Sequence, residues 1–157
     1  MNRKLSDWAS IAEILSSIAV VVTLIVLIAG IRENTDVLRS SEYSTLIRDL
    51  NNFQATQMTD AESVRLWREF RAGTAYGQDM SADDGMRLDL AILVYSRIYE
   101  KAYFATRYGL LGESEQARFA RVSCSNYNRI LGYDKLRLLA DTMTDEYMDY
   151  LANECGE

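Results

Sequence analysis

The chain has 157 residues, a formal net charge of −6 and 48% hydrophobic residues, with no proline and no histidine. The acidic balance argues against nucleic-acid binding, because Lys and Arg contacts to phosphate supply most of that affinity. The absence of histidine excludes a Cys–His dyad and the commonest metal ligand. The absence of proline is typical of helices joined by short connections.

The first predicted element is a transmembrane helix. Ile14–Ile31 is an uncharged run of 18 residues, and as a helix it spans about 27 Å, close to the roughly 30 Å hydrocarbon core of a bilayer. Trp8 precedes it at the level of an interfacial aromatic side chain. A buried soluble helix, a re-entrant segment and a cleaved signal peptide are the alternatives. The signal peptide has its expected basic start in Arg3 and Lys4, but its apolar stretch is usually shorter.

Small residues recur along one side of this helix at steps of three and four, which keeps them on one face. The face consists of Ala12, Ser16, Ala19, Thr23, Val26 and Gly30. Small side chains let helix backbones approach each other in lipid, so we expect an anchor that associates with further copies of the chain or with a larger membrane complex. The alternative is that small residues are simply common in membrane helices.

Glu13 lies at the edge of the apolar run, beside the small-residue face. In an oligomer it would form a ring of carboxylates at one end of a pore. The alternative, which we favour, places Glu13 among the headgroups near the helix N-terminus, where negative charge is favourable.

The orientation in the membrane is barely determined by the sequence. Basic residues flank both ends of the apolar run about equally, so the positive-inside rule does not decide. Cys124 and Cys155 are too few for a metal cluster, and their spacing does not require a disulfide. Two free thiols would suit a reducing compartment, which weakly favours a cytoplasmic helical domain.

Apolar periodicity predicts helices throughout the rest of the chain. The anchor and the segment after it can form one long helix to about Thr56, and Asn34–Asp36 is the likeliest place for a break; a capping box at Thr59 opens the next helix, which Gly73 ends. Later helices are expected over about 82–108, 114–130, 134–141 and 144–153. The predicted fold class is all-α, with one transmembrane helix in residues 1–33 and a small helical bundle in residues 34–157.

Three arginines come three apart in the short helix before Gly73. Arg65, Arg68 and Arg71 share a side of that helix loosely, and arginine binds phosphate through two nitrogens at once, so contact with lipid headgroups is one hypothesis. Glu62 and Glu69 lie within one turn, which favours the alternative of a solvated, charge-balanced face.

Tyr95, Tyr99 and Tyr103 sit four apart on the longest helix of the domain. Such a row could line a ligand pocket. It is more typical of core packing in which the hydroxyls find local partners, and core packing is our prediction.

Acidic residues cluster where that helix begins, at Asp79, Asp83 and Asp84. Their spacing is not that of an EF-hand loop, so helix-start acids are the simpler interpretation. The chain also lacks the G-x-S-x-G, Walker A and G-x-G-x-x-G patterns. The sequence therefore predicts no cofactor, no metal site and no catalytic residue.

Several short motifs of this sequence resemble those of other proteins. Trp8, the Ile-Ala-Glu-Ile turn of Ile11–Ile14, the exit Ile31–Thr35 and the later stretch Tyr99–Glu115 resemble a loose group of uncharacterised bacterial membrane-anchored helical proteins. The resemblance implies a single-pass protein of the bacterial inner membrane without assigned catalytic residues.

These observations favour a non-enzymatic membrane protein that acts as an interaction or accessory subunit, by self-association or by docking on a membrane complex. A small homo-oligomeric ion-conducting pore is the first alternative. A membrane-tethered enzyme of unknown type is the second.

Overall fold

The computed structural model describes residues 2–74, 80–132 and 136–156. Side chains are described from residue 12 onward, except that of Leu136. In these ranges the chain forms helices and no strand. The helices are α1 (Asn2–Gln57), α2 (Ala61–Ala72), α3 (Ala82–Arg107), α4 (Glu113–Gly132), α5 (Leu136–Ala140) and α6 (Asp145–Cys155). The predicted all-α class, with a long apolar N-terminal helix followed by a helical bundle, is confirmed. Asp79 and the predicted helix start at residue 134 lie outside the described residues.

Helix α1 runs without interruption from Asn2 to Gln57, so the long helix expected to about Thr56 is confirmed, and Asn34–Asp36, the likeliest place for a break, lies within it. The hydroxyl of Thr35 donates to the carbonyl of Ile31 at 2.9 Å, and no glycine or proline interrupts this polar stretch. Polar residues alone do not end a helix when their side chains bond within it. By its internal contacts the chain divides into two compact units, Met1–Ser40 and Ser41–Glu157.

The described part of the first unit is an apolar helix with exposed side chains. The large apolar side chains between Ile14 and Ile31 expose 50–66% of their surface. By length and composition this helix could cross a membrane, and no other helix in the described part of the chain meets the same criteria. The hydroxyls of Ser17 and Thr23 donate to backbone carbonyls four residues earlier, at 2.9 and 2.8 Å. Two polar groups of the apolar run therefore need no solvent.

The second unit is organised around α3. Helix α3 packs against α2, α4 and α5, and α6 packs against α4 and α5. The C-terminal part of α1 adds Leu46 and Phe53 to the same core, which is continuous with Ile92 of α3. Leu90 and Val94 are apolar residues of α3, yet they expose 56% and 52% of their surface. One side of the central helix is therefore an open apolar surface.

The helix ends follow local capping chemistry. Asp60, and not Thr59 as predicted, is the N-cap of α2, because its carboxylate accepts a hydrogen bond from the Ser63 amide at 2.8 Å. The Thr59 hydroxyl donates to a carbonyl of the preceding turn. Gly73 ends α2 with a φ of 79°, a conformation that favours glycine. Ser81 caps α3, because its hydroxyl accepts a hydrogen bond from the Asp84 amide at 3.1 Å.

A buried carboxylate connects α3 to the start of α6. Glu100 is 5% exposed, and its Oε1 accepts a hydrogen bond from the amide of Thr144 at 2.7 Å. Thr144 is the N-cap of α6 and makes no side-chain cap bond of its own. Arg97 donates to Oε2 of Glu100 at 2.8 Å and balances its charge. Glu100 thus supplies from another helix the acceptor that the first turn of α6 lacks.

A disulfide joins α4 to α6. Cys124 and Cys155 are bonded, with their Cα atoms 4.8 Å apart and a sequence separation of 31. The sequence left open whether the two cysteines pair, and the packing of α6 on α4 brings them into bonding range. The expectation of a cytoplasmic domain rested on free thiols, and the disulfide removes that basis.

Candidate functional site

The small-residue face lies on α1, and the helix is continuous along the whole length of the face. Its residues are Ala12, Ser16, Ala19, Thr23, Val26 and Gly30, and all are exposed. A Cβ added at Gly30 would meet no atom within 4 Å, so a neighbouring helix could approach the backbone at that point. Glu13 is also exposed. Its backbone carbonyl accepts the hydroxyl of Ser17.

The structure separates the three arginines of α2. Arg65 is held by carboxylates: it pairs with Glu62, with Glu69 at 2.9 Å and with Asp84 at 3.4 Å. The hydrogen bond from Arg65 lowers the pKa of Glu62, and the bonds to both glutamates raise the pKa of Arg65. Arg65 is thus already neutralised by protein carboxylates, which leaves it little capacity for a lipid phosphate.

The other two arginines of α2 differ from Arg65 and from each other. Both Arg68 and Arg71 are exposed. Arg71 lines a pocket together with residues of α4, whereas Arg68 is not among the residues of that pocket. Three arginines that the sequence placed loosely on one side therefore have three different environments.

An apolar groove of about 710 Å³ lies among the C-terminal part of α1, α2 and α3. Buried side chains form its base: Phe53, Leu66, Leu88, Ala91 and Ile98. The exposed side chains of Leu90 and Val94 form its edge on α3. Ligand pockets have volumes of about 300–1,000 Å³ and mostly apolar walls, so the groove has the size and lining of a binding site.

The charged groups around the groove are mostly paired. Lys101 donates to Asp49 at 3.0 Å, and Arg97 is held by Glu100 at 2.8 Å. Arg87 has no carboxylate within 4 Å among the described residues, although its positive charge contributes to lowering the pKa of Asp60 and of Glu62. The groove therefore combines an apolar base with one cation that is available to an acidic group.

Trp67 stands between the groove and a second pocket, since it lines both. Its ring packs edge-on against Phe53 and Tyr95, with centroid distances of 5.0 Å in each case, and lies 5.2 Å from the ring of Phe70. Such contacts fix the orientation of an aromatic ring. Trp67 is therefore a firmly held wall between two surfaces of different chemistry.

The second pocket, of about 210 Å³, lies among α2, α3 and α4. Three arginines line it, Arg71 from α2 and Arg121 and Arg129 from α4. Trp67 and Tyr95 form its aromatic side. We call this the arginine pocket.

No family model, curated protein or solved structure matches this chain. The resemblance to bacterial membrane-anchored proteins remains a prediction.

Arg121 and Arg129 line the arginine pocket but are not among the site residues predicted from the sequence. They lie two turns apart on α4 and, with Ser125 between them, share one side of that helix. That spacing was a detectable signal. Their approach to Arg71, 50 positions earlier, depends on how α2 and α4 pack and has no signal in the sequence.

The tyrosine row on α3 packs into the core, as predicted. Tyr99 is buried, and Tyr95 and Tyr103 pack against the core from partly buried positions. The hydroxyls of Tyr95 and Tyr99 are 3.1 Å apart, and Tyr103 donates to Glu146 at 3.2 Å. Burial, together with the Tyr95 hydroxyl, raises the pKa of Tyr99.

The acids at the start of α3 serve local structure. The Asp84 amide donates to the Ser81 hydroxyl, and the Asp84 carboxylate pairs with Arg65. Among the described residues, no group of three or more Cys, Asp or Glu side chains is arranged to hold a metal ion.

Proposed function

We propose that this chain is a single-pass protein of the bacterial inner membrane that acts as a non-enzymatic interaction subunit. In this proposal the apolar part of α1 spans the bilayer, and the groove of the second unit takes a helix of a partner membrane protein. The observation that carries the proposal is the apolar groove edged by Leu90 and Val94, because these side chains are more than half exposed.

The exposed apolar helix of the first unit supports the membrane assignment. A helix whose large side chains from Ile14 to Ile31 expose at least half of their surface would be costly in water, at about 25 cal/mol for each Å² of apolar surface. In a bilayer the same surface is favourable. The bonds that hold the hydroxyls of Ser17 and Thr23 within the helix meet the requirement that polar groups in lipid be satisfied internally.

The shape and charge of the groove support a helical partner. Met86, Leu90 and Val94 are exposed and lie four residues apart along α3, so their apolar surface extends over about 12 Å. An amphipathic helix docks on such a surface through residues at spacings of three and four. Arg87, without a carboxylate within 4 Å in the described ranges, favours a partner helix that carries an acidic residue beside its apolar side.

The disulfide supports an orientation with the helical domain on the oxidising side of the membrane. Disulfides such as Cys124–Cys155 persist in the periplasm and outside the cell, and are rare in the cytosol. We therefore propose that the N-terminus is cytoplasmic and that the second unit faces the periplasm.

Fractionation of cells that express the full chain tests the anchor. The protein should stay in the membrane pellet after alkaline carbonate extraction, and its intact mass should include Met1. A soluble product, or one shortened at the end of the apolar run, would instead establish a cleaved signal peptide.

The small-residue face is tested with a matched pair of variants. Ala19→Leu and Ala29→Leu make the same change on α1, but Ala29 lies about 100° around the helix from the centre of that face. We expect Ala19→Leu to disrupt the oligomer or complex on detergent gels, as should Gly30→Leu, while Ala29→Leu leaves it intact. Equal migration of all three variants would eliminate the face as a contact.

Copurification from native membranes tests the groove. Val94→Glu places a charge at the groove edge, whereas Val64→Glu makes the same change at an exposed site on α2 that does not line the groove. The partner should be lost with Val94→Glu and retained with Val64→Glu. If the wild-type chain purifies without a partner, or if both variants keep it, the groove is not the docking site.

A further inference from the structure

We propose that the arginine pocket binds a phosphate monoester whose organic part packs against Trp67 and Tyr95. This inference goes beyond the proposed function, since it concerns a small-molecule site on the other side of Trp67 from the groove. It rests on the residues that line the pocket and on the way their charges are balanced.

The pocket concentrates positive charge in an acidic chain. The net charge is −6, yet Arg71, Arg121 and Arg129 line one cavity of about 210 Å³, and no carboxylate is among the described residues of its wall. Arg65, Arg97 and Arg107, by contrast, each pair with a glutamate at 2.9 Å or less. Three guanidinium groups near each other repel unless an anion lies between them. A bound anion would relieve that repulsion.

Charge and hydrogen-bonding capacity favour phosphate over carboxylate. A phosphate monoester carries a charge of about −1.5 to −2 at pH 7 and three acceptor oxygens, whereas a carboxylate carries −1 and two. Guanidinium groups bind either anion through two nitrogens. Ser125 and Asn126 line the same pocket and add donors of their own. Three arginines with two further donors match the acceptors of a phosphate better than those of a carboxylate.

The aromatic side of the pocket indicates an organic phosphate. Trp67 and Tyr95 lie on it, with ring centroids 5.0 Å apart, and both residues are only partly buried. Ring surfaces bind apolar and aromatic groups. Asn126 is 7% exposed, and its Oδ1 accepts from Arg129 at 3.4 Å, which positions that guanidinium within the wall. A cavity of this size accommodates a phosphate with a small attached group.

Trp67 allows the site to be tested directly. The chain has two tryptophans, so Trp8→Phe leaves Trp67 as the only one. The full-length Trp8→Phe protein in non-ionic detergent is titrated with phenyl phosphate, and Trp67 fluorescence is recorded with excitation at about 295 nm. We expect a saturable change that weakens as salt is raised. Phenol should give no change over the same range, and benzoate should bind at least several-fold more weakly.

Four matched variants locate the binding. Arg71→Gln, Arg121→Gln and Arg129→Gln should each raise the apparent Kd roughly tenfold or more, which corresponds to one charge-assisted hydrogen bond. Arg68→Gln makes the same change on α2 outside the pocket, and should alter the Kd less than twofold. Each variant must keep the helicity of the wild type by circular dichroism. As a readout without variants, phenyl phosphate should raise the unfolding temperature of the unmodified protein.

Lipid is a second source of the same chemical group. The Trp8→Phe protein is therefore also placed in nanodiscs with and without phosphatidic acid, which carries a phosphate monoester. Competition between this lipid and phenyl phosphate would identify the headgroup as the natural source of the phosphate. If the two do not compete, the natural ligand is a soluble phosphate monoester. The proposal is overturned if phenyl phosphate changes neither fluorescence nor unfolding temperature, or if the three pocket variants bind as Arg68→Gln does. Neither result would bear on groove docking, which Val94→Glu tests separately.

Discussion

Removing the disulfide should destabilise the second unit by an amount that the chain connectivity determines. The bond joins Cys124 to Cys155 across 31 positions. For a loop of that length, the loss of chain entropy in the unfolded state amounts to about 3.7 kcal/mol at 25 °C. That is a large share of the stability of a typical domain, about 5–15 kcal/mol. The double variant Cys124→Ala and Cys155→Ala should therefore still fold, but its unfolding midpoint should lie at a much lower denaturant concentration.

The assay is urea unfolding of the full chain in non-ionic detergent, followed by the fluorescence of Trp67 in a Trp8→Phe background. With a urea dependence of about 1–3 kcal/mol per M, the midpoint should fall by about 1–4 M. Reducing the parent protein should lower its midpoint to that of the double variant. The double variant has no disulfide, so its own midpoint should not change when reductant is added, and it is the control for the effect of the reductant. Equal midpoints for the oxidised parent and the double variant would refute the reasoning.

Three further predictions concern the core and the helix ends. Leu46→Ala should cost about 2–5 kcal/mol in urea unfolding because Leu46 is fully buried, while Leu38→Ala on the same helix, where the side chain is 58% exposed, should stay within about 0.5 kcal/mol; equal effects would contradict the core assignment. Glu100→Ala removes the charged acceptor of the Thr144 amide at the N-cap of α6 and should cost about 1.5–3 kcal/mol, whereas Glu100→Gln, which keeps an acceptor, should cost about 1 kcal/mol; the reverse order would count against this bond. Hydrogen bonds from Ser63 lower the pKa of Asp60, so its stabilising effect is present above the ordinary pKa of an aspartate and is lost as the pH falls through the lowered value. Asp60→Asn keeps a cap and should flatten the pH dependence of the unfolding midpoint between about pH 5 and 2, and an unchanged profile would show that this carboxylate does not contribute.

Local signals determined much of the fold that could be predicted. Apolar periodicity identified the helices, and the left-handed conformation of Gly73 ends α2 where the sequence indicated. The errors were also local. Asp60 caps α2 in place of its neighbour Thr59 because both residue types are good caps and the sequence does not rank adjacent candidates. The bond from the Thr35 side chain to the preceding turn, which satisfies this hydroxyl within α1, was also not anticipated.

The pockets could not be predicted because they depend on which helices become neighbours. Periodicity places Arg71 on one face of α2 and Arg121 on one face of α4, but it does not say that those faces meet. The same limit applies to Cys124 and Cys155, whose pairing follows from the packing of α6 on α4. Leu90 and Val94 look like core residues in sequence, since hydrophobicity alone does not show that a helix face has no neighbour in the chain.

One indole ring forms a wall of two cavities, and this has a thermodynamic consequence. If an occupant of the apolar groove shifts the ring of Trp67, the cavity on the far side changes shape, and the affinity for any anion held there changes with it. Linkage requires the effect to be reciprocal: the anion must change the affinity for the groove occupant by the same factor. A single aromatic side chain would then couple the binding of an anion in one cavity to the binding of a groove occupant in the other.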